Sequence, residues 1–143
     1  MEKGELIIFC DGGSRGNPGP AASAFVVTNG GNVIHSEGSY LGIKTNNVAE
    51  YSAVLLAIEW LSKQPTDYSL RSTAIINLDS QLVERQLNGF YKVKNLELKK
   101  LFDQIKLKIV NCNLKINFVW GYREKNKLAD SLVNETLDNV STR

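Results

Sequence analysis

Apolar residues recur along this chain with two spacings, one typical of strands and one typical of helices. Short apolar runs bounded by turn residues predict five strands, at residues 5–10, 21–27, 33–41, 72–78 and 114–120. The dipeptide Asn29-Gly30 lies between the second and third runs and favours a tight hairpin turn, in which both central residues need positive φ. The first three strands are therefore predicted to form an antiparallel meander.

Apolar residues at helical spacing predict four helices in the rest of the chain. The first helix begins at Asn46 or Asn47, either of which can cap it, and ends at residues 64–67. Two helices follow the fourth strand, the shorter of them closing at residues 88–89, and the last helix follows the fifth strand. The resulting order, βββαβααβα, predicts an α/β fold with a five-stranded mixed sheet flanked by helices.

Length and composition predict one domain over residues 1–143. Hydrophobic residues make up 43% of the chain and charged residues 22%, which is ordinary for a soluble protein. No signal peptide is recognisable, and no stretch approaches the roughly 20 apolar residues that span a bilayer. Because Cys10 and Cys112 form no disulfide framework, we expect two buried thiols in a reducing, cytoplasmic setting without membrane association.

Charge is distributed unevenly along the chain. Between Arg85 and Lys127 there are eleven Lys or Arg residues and three Asp or Glu residues, although the whole chain carries a net charge of only +2. Taken singly, these lysines are what a solvated helix face contains. Together with an acidic remainder, however, they fit a polyanion that is drawn towards bound cations.

Four carboxylates occupy comparable positions in the predicted architecture. Asp11 and Asp79 each end a predicted strand, while Glu50 and Asp130 lie in the early turns of two helices. Alone, a strand-ending aspartate commonly just opens a turn. If the first and fourth strands are neighbours, however, all four carboxylates converge at one end of the sheet.

Four ionised carboxylates in one place require a strong opposing charge, because each raises the pKa of the others. Magnesium is the natural counter-ion, since it prefers carboxylate, water and phosphate oxygens. Two such ions about 4 Å apart clamp the attacking and leaving oxygens of a displacement at phosphorus. The chain offers no Cys/His cluster for zinc, and we expect its single histidine, His35, to be structural or solvent-facing.

Four motifs in the same order resemble those of type 1 ribonuclease H. They are DGGSRGNPG at residues 11–19, TNNVAEY at 45–51, DSQ at 79–81 and NKLAD at 126–130. The match extends over nearly the whole chain, from about residue 6 to residue 137, and the element order agrees. The resemblance implies a ribonuclease H-like fold, and it places the acidic quartet of that family on the four carboxylates selected above.

The resemblance also implies an activity. It implies a metal-dependent endoribonuclease that hydrolyses the RNA strand of an RNA/DNA hybrid and leaves 5′-phosphate and 3′-hydroxyl ends. Two Mg²⁺ ions, with Mn²⁺ as a substitute, are expected at the catalytic residues Asp11, Glu50, Asp79 and Asp130. In this mechanism Asp11 bridges both ions, Glu50 and Asp79 hold one, and Asp130 holds the other. We expect the enzyme to act as a monomer.

Short polar residues flank the quartet and suit the shallow minor groove of an A-like duplex, where the 2′-hydroxyl is displayed. Helix capping is the alternative role for two of them, Asn46 and Asn47. Basic residues such as Lys92 and Lys94 add salt-sensitive affinity that does not depend on sequence. By resemblance, the expected substrate-binding residues are Gly12, Ser14, Asn17, Thr45, Asn46, Asn47, Gln81, Arg123 and Asn126.

Two departures from the best-known bacterial members concern the substrate. The loop before Asp130, residues 121–126, has no histidine, so we expect Arg123 or the auxiliary residue Glu124 to take over part of its role. The segment after Asp79 is too short for the extra basic helix of some members, as in archaeal-type relatives. Double-stranded RNA is therefore a further candidate substrate.

Two other functions are compatible with the same residues. One is a non-catalytic module that binds a hybrid or another duplex. The other is a different nuclease on the same scaffold, for example one that acts on double-stranded RNA, since a fold alone does not determine function.

Overall fold

A computed structural model of the chain describes residues 6–64, 73–111, 115–121 and 126–141. Within these residues the chain forms five strands and four helices in the predicted order βββαβααβα. The strands are β1 (Leu6–Ser14), β2 (Gly19–Asn29), β3 (Asn32–Lys44), β4 (Ala74–Leu78) and β5 (Ile116–Trp120). The helices are α1 (Asn46–Ser62), α2 (Gln81–Leu87), α3 (Leu96–Asn111) and α4 (Lys127–Ser141).

The strands form one mixed sheet in the order β3-β2-β1-β4-β5. The first three strands pair antiparallel, which confirms the predicted meander, while β4 and β5 run parallel to β1. Residue Cys10 of β1 is paired with Leu78 of β4, so the carboxyl ends of these two strands lie side by side. The first and fourth strands are therefore neighbours, as the convergence of the carboxylates requires.

Buried and exposed side chains alternate along β1, so its two faces belong to different layers. Leu6, Ile8 and Cys10 are buried in the main core with α1, whereas Ile7 is more than one-third exposed. Helix α1 packs against the sheet and also against α3, and its buried residues surround the helix rather than forming one stripe. A smaller apolar cluster joins α4 to β2 on the opposite side. The sheet therefore separates two helical layers.

The prediction that the first strand ends at Asp11 is wrong. Strand β1 continues to Ser14, and Asp11 is paired with Ala24 of β2 in the middle of the ladder. The reason is that backbone pairing does not require apolar side chains, and β2 offers small residues along this stretch. Asp11 therefore has the rigidity of a strand interior instead of a turn.

Two local predictions are displaced by one residue or more. The hairpin turn consists of Gly30 and Gly31, both at positive φ, because β2 extends through Asn29. Helix α1 is capped by Thr45, whose hydroxyl accepts from the Val48 N–H at 3.2 Å, and not by either asparagine.

Trp120 lies at the end of β5, the edge strand of the sheet, and is half exposed, whereas Phe118 is buried. Cys10 is buried as predicted, and Cys112 lies outside the described residues. His35 lies on β3, stacked on Trp60 with ring centroids 5.0 Å apart, which agrees with a structural role.

None of the helices in the described part of the chain combines the length and apolar character needed to cross a lipid bilayer.

Gly12 and Gly13 provide a matched test of how closely α1 approaches the sheet. A Cβ at Gly12 would overlap the backbone of Ala49 and Glu50, whereas one at Gly13 would make an ordinary contact of 3.7 Å with Val133. We expect Gly12→Ala to lower the free energy of unfolding by about 1–3 kcal/mol, the usual cost of overpacking. Gly13→Ala is the control and is expected to change it far less. Urea denaturation measures both, and equal effects would contradict the close approach.

Candidate active site

A polar cleft of about 290 Å³ opens where the carboxyl ends of β1 and β4 face α4. All four carboxylates selected from the sequence line this cleft, together with the Gly-rich end of β1 and residues of α4. Ligands of open α/β sheets commonly bind at the carboxyl ends of parallel strands. The lining residues are Asp11, Gly12, Gly13, Ser14, Arg15, Asn46, Glu50, Asp79, Asp130, Val133, Asn134 and Leu137.

Strand pairing positions the first two carboxylates. Asp11 follows Cys10 directly, and Asp79 follows Leu78, the partner of Cys10 in the parallel ladder. Immediately after Asp79, the Ser80 hydroxyl caps α2 by accepting from the Val83 N–H at 3.2 Å, so the chain turns away from the cleft there. The two carboxylates are therefore neighbours on adjacent strands.

Close backbone packing positions Glu50. Gly12 has no side chain to separate β1 from the backbone of Ala49 and Glu50. The Ser23 hydroxyl on β2 donates a 2.5 Å hydrogen bond to the Ala49 carbonyl, in a fully buried position. Both contacts hold the second turn of α1 against the sheet, so Glu50 lies at the cleft.

Asp130 is brought to the cleft by packing of α4. Val133 and Leu137, on the same helix, pack against Ala22 and Ala24 of β2. Just before α4, the Asn126 side-chain amide donates a 2.8 Å hydrogen bond to the Cys10 carbonyl. The start of α4 is thereby tied to the residue that precedes Asp11 in β1.

Asn126 does not have the surface position expected of a substrate-binding residue. Only 1% of it is exposed, and its amide is used within the protein. Contact between Asn126 and the substrate therefore stays a prediction, and in this structure the side-chain amide of Asn126 holds β1.

Asp11 is the electrostatic centre of the cleft. It is buried, and its carboxyl shares a hydrogen bond with Asp130. Burial, followed by the charges of Asp79 and Asp130, raises the pKa of Asp11 from 3.8 to about 8, against a smaller lowering effect of the Gly12 N–H. Without a cation, the folded protein therefore retains a proton on Asp11 at neutral pH.

The donor set of the cleft fits a hard divalent cation. Its charged ligands are carboxylate oxygens from four separate elements, with no imidazole or thiolate among the lining residues. In the described part of the chain, no three His, Cys, Asp or Glu side chains are already grouped as a metal site. The four carboxylates nevertheless share one cleft, and Asp11 and Asp130 are in hydrogen-bonding contact there.

Several expected substrate-binding residues form a hydrogen-bonded frame beside the carboxylates. The Asn46 side-chain oxygen accepts from the Ser14 backbone N–H at 2.8 Å and from the Ser14 hydroxyl at 3.0 Å. The backbone N–H of Asn46 in turn donates to the Asn17 side-chain oxygen at 3.0 Å. Of the expected binding residues, Gly12, Ser14 and Asn46 line the cleft, whereas Asn17 and Thr45 lie beside it.

The remaining expected binding residues are not part of the cleft lining. Asn47 is partly exposed on the first turn of α1, and Gln81 is exposed at the start of α2. Arg123 and Glu124 lie outside the described residues. Arg15 and Asn134 line the cleft but were not predicted, although Arg15 lies inside the first motif. Arg15 and Asn134 come together only because α4 packs against β2.

The basic segment supplies fewer free charges than its sequence suggests. Lys99 pairs with Asp103 at 2.7 Å, Lys108 approaches Glu59 at 3.9 Å, and Lys106 donates to the Leu87 carbonyl at 2.5 Å. Partial burial also lowers the pKa of Lys106. These three lysines are thus engaged within the fold.

Comparison with known proteins agrees with this geometry. A family model described as reverse transcriptase-like matches residues 9–136. The ribonuclease H of Helicobacter pylori strain HPAG1 is 36% identical, with 90% of each chain covered. The chain belongs to the type 1 ribonuclease H family. The solved structure of LC11-RNase H1, isolated from compost by a metagenomic approach, is 42% identical and superposes with a TM-score of 0.91, covering 96% of this chain and 98% of that one.

The chain also resembles part of a longer protein. The bifunctional protein Rv2228c of Mycobacterium tuberculosis is 35% identical over 136 residues. These residues are 94% of this chain but only 36% of the mycobacterial protein, so the chain spans about a third of that relative.

The raised pKa of Asp11 predicts how stability depends on pH without divalent cations. The folded state holds the Asp11 proton more tightly than the unfolded state, so this stabilisation is complete below about pH 4 and is lost as the pH rises towards 8. We expect Asp11→Asn to remove this pH-dependent loss of stability, which amounts to about 1.4 kcal/mol for each unit of pKa shift. At pH 8 the variant should therefore be more stable than the wild type.

Denaturation in EDTA at pH 4 to 8 measures this effect, with Asp103→Asn, an exposed position on α3, as the control. Added Mg²⁺ should stabilise the wild type more than Asp11→Asn, because the ion replaces the proton. Parallel pH profiles for the wild type and Asp11→Asn would contradict the electrostatic argument.

Proposed function

We propose that this chain hydrolyses the RNA strand of RNA/DNA hybrids with the help of divalent metal ions. The observation that carries the proposal is the convergence of Asp11, Glu50, Asp79 and Asp130, from four elements, on one polar cleft. A second support is that a similar protein, LC11-RNase H1, has been solved in complex with an RNA/DNA hybrid at 40% identity and a TM-score of 0.87. That complex covers 95% of this chain.

The four carboxylates are the residues that would hold the metal ions, for which we propose Mg²⁺ with Mn²⁺ as a substitute. Two divalent cations, when bound, supply a lowered water pKa and neutralise charge on the attacking and leaving oxygens at phosphorus. The products of this chemistry are 5′-phosphate and 3′-hydroxyl ends.

The protein's own contribution is to position oxygen ligands on rigid elements. Asp11 is held in the interior of β1, and Asp79 directly follows the neighbouring strand. Glu50 and Asp130 come from helices that pack against the sheet. Such positioning lowers the reorganisation needed in the reaction, since the charges are arranged before the substrate arrives.

Recognition of the RNA strand is proposed to use the frame beside the carboxylates. Gly12, Ser14 and Asn46 line the cleft with short polar groups that can approach the minor groove of an A-like duplex. The 2′-hydroxyl is both donor and acceptor, so it distinguishes RNA from DNA at such a surface. We place Asn17, Thr45, Asn47 and Gln81 in the same surface around the cleft.

Removal of one carboxylate should separate catalysis from folding. We expect Asp79→Asn to reduce cleavage of a labelled hybrid by about a hundredfold or more, because the metal loses a charged ligand. The fold should be retained, since the mutation relieves repulsion at Asp11. Asp103→Asn, in an exposed pair with Lys99, is the control and should cleave like the wild type. Substantial activity of Asp79→Asn at ordinary Mg²⁺ would contradict the assigned role.

A substrate panel tests the reaction itself. Purified protein is incubated with labelled hybrid, duplex DNA, duplex RNA and single-stranded RNA, with Mg²⁺ and with EDTA. We expect cutting of the RNA strand of the hybrid, only with the cation and with 5′-phosphate ends. Cleavage of duplex RNA would extend the substrate range, and binding without any cleavage would favour the non-catalytic module.

A further inference from the structure

Arg15 is the one Lys or Arg among the described residues that line the carboxylate cleft. It directly follows β1, and 42% of its side chain is exposed. The other charged residues that line the cleft are the four carboxylates. A cation at the edge of such a cleft is well placed for a second anionic group of a ligand whose first anionic group lies at the carboxylates.

The guanidinium of Arg15 is held by α4 through only one of its nitrogen atoms. Its Nη2 donates to the Asp138 Oδ1 at 2.6 Å and to the Asn134 carbonyl at 3.4 Å. In the described part of the chain, its Nε and Nη1 make no hydrogen bond. These N–H groups therefore remain available, and their planar arrangement matches the oxygens of a phosphate.

The backbone of Arg15 is more firmly held than its exposure suggests. Its N–H donates a 2.8 Å hydrogen bond to the Pro20 carbonyl, which closes the Gly-rich turn. Within that turn, Gly19 packs so closely on the Arg15 backbone that a Cβ would overlap it. The Asn46 side chain holds the preceding residue, Ser14. The guanidinium thus extends from a fixed point at the cleft.

The ion pair with Asp138 orients the arginine at low energetic cost. Both side chains are substantially exposed, at 42% and 66%, and an exposed ion pair adds little to stability. Exchange of the Asp138 carboxylate for a phosphate is therefore inexpensive.

The register of α4 gives the distance between this position and the carboxylates. Asp130, Asn134 and Asp138 follow one another at intervals of four residues, and the Asn134 amide donates to the Asp130 carbonyl at 3.2 Å. With a rise of about 1.5 Å per residue, the contacts of Arg15 lie about 6–12 Å along the helix from Asp130.

We propose that Arg15 binds a phosphate of the RNA strand close to the bond that is cleaved, in exchange for the Asp138 carboxylate that holds it in the free protein. The RNA strand is favoured because Arg15 lines the same cleft as the carboxylates, where the RNA phosphate must lie. The inference rests on the proposed function and adds a substrate-binding residue to it.

A pair of variants separates phosphate binding from a structural role. Arg15→Gln and Asp138→Asn both remove the ion pair, but only the first removes the cation. We expect Arg15→Gln to raise KM for the hybrid about three- to tenfold with kcat changed less than twofold, and Asp138→Asn to leave KM unchanged or lower it. Lys108→Gln, which removes an exposed cation far from the cleft lining, is the charge control.

Salt dependence provides a second readout. Hybrid binding is measured in the Asp79→Asn background so that the substrate stays intact. The slope of log binding constant against log salt concentration should decrease by about one for Arg15→Gln, the effect of losing one phosphate contact. Arg15→Lys should restore the slope but only part of the affinity, because an ammonium group cannot bind a phosphate through a planar fork.

Neutral linkages locate the phosphate. A series of hybrids carries one methylphosphonate at successive positions of the RNA or the DNA strand, with a 2′-O-methyl nucleotide beside each RNA linkage for chemical stability. We expect the wild type to lose affinity at one RNA-strand position within four nucleotides of the cleavage site. The Arg15→Gln variant should be insensitive to neutralisation at that position only.

The outcomes distinguish this inference from the proposed function. In one outcome the wild type cleaves the hybrid, and Arg15→Gln and Asp138→Asn lower the free energy of unfolding equally without changing KM. Arg15 then has only a structural role, and the inference is overturned. The inference is also overturned if the phosphate whose neutralisation no longer affects Arg15→Gln lies on the DNA strand. If the wild type neither binds nor cleaves any hybrid, the proposed function fails and the inference fails with it.

Discussion

The carboxylates in the cleft repel one another, and the surrounding fold has to offset that repulsion. Parallel pairing of β1 and β4 brings Asp11 and Asp79 together, and α4 adds Asp130 to the same cleft. The fold tolerates this arrangement without a cation by raising the pKa of Asp11, so that a proton replaces the missing positive charge. A cation that binds there displaces this proton, so metal binding and stability are coupled.

Small residues and buried amides hold this unfavourable arrangement in place. Gly12 lets the backbone of α1 reach β1, and Ser23 fastens the Ala49 carbonyl to β2. Asn126 connects the start of α4 to the Cys10 carbonyl. These contacts surround the carboxylates, so packing and hydrogen bonds around the charge cluster help to offset its repulsion.

Cations are used differently inside and outside the cleft. On α3, Lys99 and Lys108 pair with acidic side chains, and Lys106 is partly buried against the Leu87 carbonyl. At the cleft, Arg15 is held by an exposed carboxylate that a phosphate can replace. Among the lysines of α3 named here, Lys106 alone is held by partial burial, whereas the exposed pairs of Lys99 and Lys108 are of the same kind as that of Arg15.

Hydrophobic periodicity is a local property, so the chain's own residues were enough to predict the element order and to single out the four carboxylates. That Asp11 and Asp79 are neighbours depended on the pairing of β1 with β4, which the folded structure supplied. The sequence did not determine that β1 continues through Asp11 to Ser14, since backbone pairing with β2 is not visible in side-chain character. The burial of Asn126 and the contact of Arg15 with Asp138 emerged only in the folded structure. These outcomes depend on which residue lies opposite in space after α4 packs on the sheet, and that contact spans more than a hundred residues of chain.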